Sequence, residues 1–253
     1  MSPGGDLAVV IPARNESDRI GATVKAAAQI PGVDILVVVD DGSCDGTGAE
    51  ATVAGATVVR HARTRGKAAA LETGAESVRL IEAERGAAEP HYLLFLDADL
   101  DETAANAGPL AEPIIAGRAD MTIAIFTTRI KRGGHGLVLG VSGAGIERVT
   151  GWRPAEPLNG QRCLTRAAFE AALPLAPGWG AETGLTIDLL RKGMRIEEVQ
   201  VPLAHRATGT DLGSQLHRAR QLAGVARALV ARNPWLREEG RMDSPDKGQA
   251  DIG

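Results

Sequence analysis

The sequence predicts an α/β protein built on a doubly wound, mostly parallel sheet flanked by helices. Short runs rich in Val, Ile and Leu, such as Leu7–Ile11, Ile35–Val39 and Tyr92–Leu96, alternate with segments of helical spacing. Continuous apolar runs of this length are typical of parallel strands that helices cover on both faces. Acidic residues follow the second and third of these runs, at Asp40–Asp41 and Asp97–Asp99. Because doubly wound sheets bind ligands beyond the carboxyl ends of their strands, we expect the functional site at that edge.

The first half of the chain supplies strands and helices in alternation. Ser17 is predicted to cap a helix whose apolar face carries Ile20 and Val24, because a hydroxyl can satisfy the free N–H groups of a first turn. Asp45 is predicted to cap a second helix, which ends at Ala54. The further elements of this half are a strand at Thr57–Val59, a helix at Ala68–Arg85 and a helix cap at Asp101.

The second half begins with a predicted strand at Met121–Phe126. Glycines interrupt the next segment, Gly133–Gly151, which we interpret as a mobile loop or a short helix because glycine destabilises helix interiors. Three further elements follow: a strand at Gln161–Thr165, a helix at Ala181–Lys192 and a strand at Ile196–Val201.

A long amphipathic helix is predicted from Leu212 onward. Its arginines are interpreted as a solvated face, and binding to an anionic acceptor or a lipid surface is the alternative. The arginines of this helix are Arg218, Arg220, Arg227 and Arg232.

We expect one domain over residues 1–232, with a nucleotide-binding half at about 6–102 and an acceptor half at about 103–232, followed by a disordered tail at 233–253.

Composition limits the classes of function. The 253 residues carry a net charge of -4, which argues against nucleic acid as the main partner because phosphate binding usually requires a basic face. Cys44 and Cys163 are too few for a disulfide framework, so we expect a reducing, cytoplasmic setting. The apolar runs have strand length, far below the roughly 20 residues of a membrane span, so any lipid contact is expected only at the surface.

Asp97 and Asp99 form the first candidate site. Residues two apart point to the same side of a strand, and at a strand end both carboxylates can converge on one hard divalent cation, Mg²⁺ or Mn²⁺. The alternative is a solvated acidic turn before the next helix. The position at the end of an apolar strand favours the metal site.

Asp40 and Asp41 form the second candidate site, in the stretch VVVDDGSCDGT at Val37–Thr47. An aspartate at a strand end can accept the N–H groups of a uracil or guanine base, while neighbouring glycines let the base approach the backbone. Asp45 is interpreted instead as the acceptor of a local turn. The stretch therefore predicts a nucleotide-binding loop.

Five motifs carry a resemblance to a known family. They occur in the order seen in glycosyltransferases of the GT-A fold, and the chain resembles a family 2 glycosyltransferase over about residues 6–230. It is similar to dolichyl-phosphate sugar synthases and to glucosyl-3-phosphoglycerate synthases. The resemblance implies a GT-A-type sheet and sugar transfer. The motifs are PARNE (12–16), VVVDDGSCDGT (37–47), RGKAAALETG (65–74), FLDADLD (95–101) and WGAETGLTIDLLRKG (179–193).

The resemblance implies a donor site at the matching positions. Asp41 would read the base with Asp40 close to it, and Lys67 would approach the diphosphate or the base. Asp97 would lie near the ribose, with Ala98 beside it in the donor site. Four residues of the first motif would line the nucleotide pocket: Pro12, Ala13, Asn15 and Glu16.

The resemblance also implies a metal and an acceptor side. Asp99 and His205 would bind the Mg²⁺ or Mn²⁺ ion that bridges the diphosphate, and Arg206 would meet the diphosphate or an acidic acceptor. Glu182 would face the acceptor and, in an inverting enzyme, act as the general base. For Glu182, as for Glu16 and Lys67, the alternative is a charge at a helix start. For His205 the alternative is an ordinary turn residue.

Together these residues predict a metal-dependent glycosyltransferase that moves a sugar from a UDP- or GDP-linked donor to an unidentified acceptor, for which an anionic compound is one candidate. Two alternatives stay open: a sugar-nucleotide pyrophosphorylase-like nucleotidyltransferase, and a catalytically silent module that binds nucleotide sugars. The first normally has a Gly-rich loop after the first strand, where this chain has PARNE. The residues also leave open the anomeric outcome, a homodimer and the role of Gly133–Gly151.

Overall fold

The computed structural model describes residues 7–127, 136–203 and 212–232. These residues include one mixed sheet of seven strands. The strands are β1 (Leu7–Ala13), β2 (Val33–Asp40), β3 (Thr57–Arg60), β4 (Tyr92–Phe95), β5 (Met121–Phe126), β6 (Arg162–Leu164) and β7 (Ile196–Val201).

Helices connect these strands and cover both faces of the sheet. Two short 3₁₀ segments, Asp101–Leu110 and Gly178–Gly180, precede α-helices. The α-helices are α1 (Ile20–Ala27), α2 (Thr47–Val53), α3 (Lys67–Arg85), α4 (Glu112–Ile115), α5 (Gly136–Thr150), α6 (Arg166–Ala171), α7 (Ala181–Arg191) and α8 (Leu212–Ala231).

The strand order is β3-β2-β1-β4-β6-β5-β7. Strands β1 to β4 pair in parallel with one another, and β5 pairs in parallel with β7. Strand β6 lies between β4 and β5 and is antiparallel to both. The amino end of β6 therefore reaches the same edge of the sheet as the carboxyl ends of its neighbours, and this brings residues just before β6 to the predicted functional edge.

The alternation of side chains along β1 explains the two cores. Val9 and Ile11 belong to the core that α1 covers, whereas Ala8 and Val10 belong to the core beneath α3, and all four are fully buried. A strand whose successive side chains are all buried must lie between two helical layers. The predicted α/β fold with a doubly wound, mostly parallel sheet is confirmed.

The prediction for Gly133–Gly151 left a mobile loop and a short helix open. Its described part forms the 15-residue helix α5, so the helical alternative holds there. Tertiary packing explains why Gly145 is tolerated, because a Cβ at this position would lie 2.5 Å from Leu229 of α8. The close approach of the two helices outweighs the low helix propensity of glycine.

The three predicted helix caps are wrong, although Asp45 forms a local turn: Gly46, rather than Asp45, holds the N-cap position of α2. Helix α1 begins at Ile20, and Ser17 does not cap it; the Ser17 N–H instead donates to Asp45 Oδ2 at 3.3 Å. Asp101 has a left-handed backbone, with φ of 49°, and its carboxylate binds Arg19 rather than a helix start. The turn predicted at Asp45 is confirmed, since its Oδ1 accepts the N–H of the residue that starts α2 at 3.0 Å. Hydrogen bonds from this turn lower the pKa of Asp45 to about 2.

The arginine face of α8 is only partly as predicted. Arg227 is exposed, but the guanidinium of Arg232 binds the carboxylate of Asp188 on α7 at 2.8 and 2.5 Å. Arg232 therefore fastens α8 to α7, and its assignment to a solvated face is wrong. The side chains of 212–220 and residues 233–253 lie outside the described part of the chain, so the two-part domain and the tail stay predictions. Among the described residues, no helix has the length and apolar character needed to span a membrane.

Candidate active site

The candidate site lies at the edge of the sheet where β1, β2 and β4 end. The loops after these strands carry the residues predicted for nucleotide and metal binding, and the segment before β6 and the first turn of α7 face the same edge. Parallel strands that lie side by side end together, which is why motifs far apart in sequence meet here.

The loops after β1 and β2 are joined by hydrogen bonds. Asn15 N donates to Ser43 Oγ at 3.0 Å, and Asn15 Oδ1 accepts the N–H of Cys44 at 2.9 Å. Glu16 N donates to the Thr47 hydroxyl at 2.8 Å. Asn15 holds a left-handed backbone with φ of 56°, a conformation that is uncommon outside glycine and tends to occur at functional sites. The PARNE motif is thus built against the DDGS loop, with Pro12 and Ala13 paired to the end of β2.

Asp40 closes β2 and is fully buried. Its Oδ1 accepts the N–H of Ser43 at 2.8 Å, and its Oδ2 lies 3.6 Å from Arg60 Nε. Oδ2 has no hydrogen-bond partner among the described residues. Asp40 therefore shapes the turn from inside the fold, and its proximity to a bound base stays a prediction.

Asp41 holds the loop before α3. Its Oδ1 accepts the N–H of Arg65 at 2.8 Å and lies 2.7 Å from His61 Nδ1, while its Oδ2 accepts the N–H of Gly66 at 2.8 Å. Burial raises the pKa of Asp41, but these hydrogen bonds outweigh burial and hold the pKa below its ordinary value. Base reading by Asp41 stays a prediction, and the structure adds a second role, the fixing of the segment that presents Lys67.

Lys67 is the centre of the site. It is the first residue of α3, and its Nζ lies 2.6 Å from Asp97 Oδ1 and 2.9 Å from Glu182 Oε1. Burial lowers the pKa of the ammonium, but the two carboxylates outweigh burial and raise the pKa, so Lys67 stays charged. These contacts exclude the alternative in which Lys67 is a solvated charge. Glu182 is only 6% exposed and pairs with Lys67, so it is more than a charge at a helix start.

Two residues bind the Asp97–Asp101 loop: Thr23 in α1, and Arg19, which directly precedes that helix. Thr23 Oγ1 donates to Ala98 O and accepts the N–H of Asp101, both at 2.9 Å. Arg19 binds the Asp101 carboxylate with two nitrogens, and its Nη1 lies 3.6 Å from Asp99 Oδ2. The hydrogen bonds to Asp101 raise the pKa of the Arg19 guanidinium. Asp99 thus lies at the site with an arginine beside it, and its part in metal binding stays a prediction.

The sequence analysis missed the residues just before and at the start of β6. Gln161 Nε2 donates to Asp97 Oδ2 at 2.7 Å, while Lys67 Nζ donates to the other oxygen, Oδ1, at 2.6 Å. Arg162 is 1% exposed and donates to Glu182 O at 3.1 Å. Desolvation lowers the pKa of Arg162 to about 10. The one sequence signal was an arginine at the start of an otherwise apolar strand, which is rare for a buried position.

His205 and Arg206 lie outside the described residues, so their predicted roles stay predictions. Within the ranges 7–127, 136–203 and 212–232, no group of three His, Cys, Asp or Glu side chains is arranged to hold a metal ion. A cation at Asp99 would therefore need ligands from elsewhere, and Mg²⁺ commonly takes them from substrate phosphates.

The fold and the site together define a GT-A glycosyltransferase: a doubly wound sheet with an Asp-X-Asp loop, a half-buried lysine and a second carboxylate at its carboxyl edge. The sequence model of the family described as glycosyl transferase family 2 matches residues 8–149. The chain belongs to this family and is a glycosyltransferase.

Two relatives, one of them in two crystal structures, show how far the likeness extends. The glucosyl-3-phosphoglycerate synthase of Mycolicibacterium paratuberculosis is 30% identical over 250 residues, which cover 90% of this chain and 71% of the relative. The crystal structure of the Mycobacterium tuberculosis enzyme of that name with Mg²⁺ and UDP has a TM-score of 0.70 at 26% identity, covering 90% of this chain and 79% of that one. A structure of the same enzyme with Mn²⁺, UDP-glucose and phosphoglyceric acid has a TM-score of 0.67 at 25% identity, with 90% and 80% covered.

Replacing Asp41 by asparagine tests its role in holding the loop. We expect Asp41→Asn to lower the free energy of unfolding by about 1–3 kcal/mol near neutral pH, because an amide cannot accept hydrogen bonds at both positions. The folded-state pKa lies below the ordinary 3.8, so the advantage of the wild type is complete above the unfolded-state pKa and disappears as the pH falls through the folded-state pKa. Urea unfolding of both proteins near neutral pH and at about pH 3 measures this difference.

The exposed Asp18 provides the control for this experiment. Asp18→Asn should leave the unfolding free energy within about 0.5 kcal/mol of the wild type. A deficit in Asp41→Asn that is equally large at both pH values would contradict a role for the ionised carboxylate.

Proposed function

We propose that this glycosyltransferase transfers a glucosyl group from UDP-glucose to a small phosphorylated acceptor of the phosphoglycerate type, with Mg²⁺ or Mn²⁺ bound at the donor. The observation that carries the proposal is the Lys67 ammonium between Asp97 on the donor side and Glu182 on the acceptor side. The names and bound ligands of the relatives supply the donor and acceptor: UDP-glucose and phosphoglyceric acid are bound in one of their structures.

The donor half of the proposal rests on the joined loops after β1 and β2. Asn15 and Glu16 are held by the DDGS loop with their backbones fixed, and they would line the nucleotide pocket. Lys67 would meet the diphosphate, because a partly exposed ammonium at the start of a helix suits an anion. Asp41 would fix the loop that carries Lys67 and read the base with its remaining acceptor capacity.

The residues present fit a magnesium or manganese ion. Asp97 and Asp99 supply only oxygen ligands, which hard divalent cations prefer, and Mg²⁺ is usually held by one or two carboxylates together with substrate phosphates. Asp99 would hold the ion, and His205 is a further proposed ligand. When bound, the ion supplies positive charge that stabilises the departing diphosphate.

The acceptor half rests on Glu182. Its carboxylate is buried in the first turn of α7 and would accept a hydrogen bond from the acceptor hydroxyl. In the transfer, the bond between the anomeric carbon and the diphosphate breaks and a bond to the acceptor oxygen forms. In an inverting reaction the hydroxyl proton passes to Glu182. Lys67, 2.9 Å from Glu182 Oε1, would keep this carboxylate oriented until substrates arrive.

Family membership favours sugar transfer over a pyrophosphorylase-like reaction. A silent binding module is disfavoured by the paired Asp97, Lys67 and Glu182, since a module that only binds nucleotides needs no carboxylate on the acceptor side. We also propose a cytoplasmic location, supported by two free cysteines, the exposed Cys44 and the buried Cys163.

A transfer assay tests the proposed function. The protein is incubated with UDP-glucose and Mn²⁺ together with 3-phosphoglycerate, glycerol 3-phosphate or a polyprenyl phosphate, and the glucosylated product is measured by mass spectrometry. We expect product with 3-phosphoglycerate and far less with the lipid phosphate. Transfer only to the lipid phosphate would contradict the proposed acceptor, and GDP-linked donors reacting in preference would contradict the proposed base.

Replacing Asp99 by asparagine tests the metal site. We expect UDP to bind the wild type more tightly in Mn²⁺ than in EDTA. In Asp99→Asn this increase in affinity should be at least about tenfold smaller, because losing even a residue that only hydrogen-bonds a metal ligand lowers metal affinity by about that factor. Isothermal titration calorimetry measures the affinity, with the EDTA arm as the control within each protein. Equal wild-type affinity in EDTA and Mn²⁺ would exclude metal-assisted donor binding.

Replacing Glu182 by glutamine tests the acceptor side. Glutamine can still accept from Lys67, so we expect the UDP affinity to change little while kcat falls on the order of 10²-fold. Glu197 lies on β7 and forms an exposed ion pair with Arg118. Glu197→Gln is therefore the matched control and should keep wild-type turnover. Wild-type kcat in Glu182→Gln would reduce Glu182 to a structural partner of Lys67.

A further inference from the structure

The segment Asn159–Arg162 reaches the site because of the direction of β6. This strand is antiparallel to β4, and Arg162 is the Cα partner of Phe95, two residues before Asp97. A parallel strand at this place would deliver its carboxyl end instead. The topology thus inserts a loop between the donor-side carboxylate Asp97 and the acceptor-side helix α7.

The loop is held rigidly by its own hydrogen bonds. Asn159 Nδ2 donates to Ala124 O at 2.7 Å, and Asn159 Oδ1 accepts the N–H of Gln161 at 2.9 Å. Gln161, itself fully buried, then donates to Asp97 Oδ2 at 2.7 Å. The loop therefore fixes the rotation of the Asp97 carboxylate, so that the other oxygen faces Lys67.

Arg162 ties this loop to the helix that carries Glu182. Its guanidinium donates to Asn159 O at 2.8 Å and to Pro157 O at 3.2 Å on one side, and to Glu182 O at 3.1 Å and Thr186 Oγ1 at 2.9 Å on the other. These four acceptors are neutral oxygens, and a fifth, the neutral Met121 sulfur, lies 3.8 Å from Nη1. Burying a guanidinium without a carboxylate in direct contact costs free energy. Arginine suits this position because its planar group carries five N–H donors, which can bind several fixed oxygens at once.

Gly160 leaves the space that the Lys67 ammonium occupies. A Cβ at Gly160 would lie 2.9 Å from Asp97 Oδ1 and 2.3 Å from Lys67 Nζ, both closer than real Cβ atoms approach such neighbours. The backbone at Gly160 is not left-handed, so the restriction is the space beside the ion pair rather than strain in the turn.

We propose that Asn159–Arg162 is the positioning element of this active site and sets the separation of Asp97 and Glu182 through Lys67. Glycine is required at position 160 because any side chain there would occupy the space of the ion pair. The inference rests on the proposed function, because it assigns donor and acceptor sides to the two carboxylates. None of the four residues needs to touch substrate. They act by holding the groups that do.

Gly160→Ala tests the proposal. The new methyl group meets the end of a flexible lysine, so we expect the fold to survive while Lys67 leaves Asp97. UDP affinity in Mn²⁺ should fall about tenfold and kcat/KM on the order of 10²-fold, the effect of misplacing reacting groups by about 1 Å. Gly21→Ala, at a helix glycine with no atom within 4 Å of an added Cβ, is the matched control and should keep wild-type affinity and turnover.

Gln161→Met keeps the proposal testable if Gly160→Ala unfolds. It removes the donor to Asp97 while nearly preserving volume, and we expect kcat to fall at least about tenfold with a smaller change in the KM for the acceptor, as for loss of an interaction that matters in the transition state. Thermal melting establishes that each variant is folded. Folded Gly160→Ala and Gln161→Met with wild-type UDP affinity and kcat would overturn the inference.

Failure of this inference is distinguishable from failure of the proposed function. If the wild type and Gly21→Ala transfer glucose but the two site variants do so equally well, the positioning role is wrong and the function stands. If the wild type transfers nothing, the loss of UDP affinity in Gly160→Ala still supports the positioning role, and unchanged affinity overturns it.

Discussion

The Lys67 ammonium, 2.6 Å from Asp97 and 2.9 Å from Glu182, is the contact on which the geometry of the site depends. Two carboxylates brought to one partly buried place repel each other and lose hydration, and a shared cation compensates both effects. This arrangement joins the loop after β4 to the first turn of α7, so the sides proposed for donor and acceptor are linked through one ammonium. The Asp41 carboxylate supports it from behind, since it holds the backbone at Gly66 from which α3 and Lys67 start.

The direction of one short strand decides what surrounds that contact. Because β6 runs against its neighbours, the residues before it arrive at the carboxyl edge and meet Asp97. Arg162 then links the same loop to the backbone of Glu182. A doubly wound sheet that is wholly parallel would place such a segment at the opposite edge. The antiparallel strand thus delivers a loop that is hydrogen-bonded both to the Asp97 carboxylate and to the backbone of Glu182.

Positive charge also stands beside the proposed metal ligand. Arg19 binds Asp101 and lies 3.6 Å from Asp99, while Thr23 holds the loop between them through Ala98 O. An arginine and a divalent cation compete for the same carboxylate. The metal proposed at Asp99 would therefore need phosphate oxygens as additional ligands to offset that competition. This provides a physical reason for the metal and the nucleotide diphosphate to bind together rather than separately.

The sequence by itself determined the strands, the edge that carries the site, and the candidate residues Lys67, Asp97, Asp99 and Glu182. The strands, the edge, Asp97 and Asp99 follow from local patterns: apolar runs that must be buried, and charges placed where such runs end. Lys67 and Glu182 followed instead from the resemblance of their motifs to those of family 2 glycosyltransferases. Their partnership and the part played by Asn159–Arg162 were decided only by the tertiary structure. Gln161 reaches a residue 64 positions away and Arg162 one 20 positions away, distances over which a single sequence carries no pairing signal. The helical state of α5 was likewise decided by packing against Leu229, because contact with a neighbouring helix, rather than glycine propensity, controls that segment.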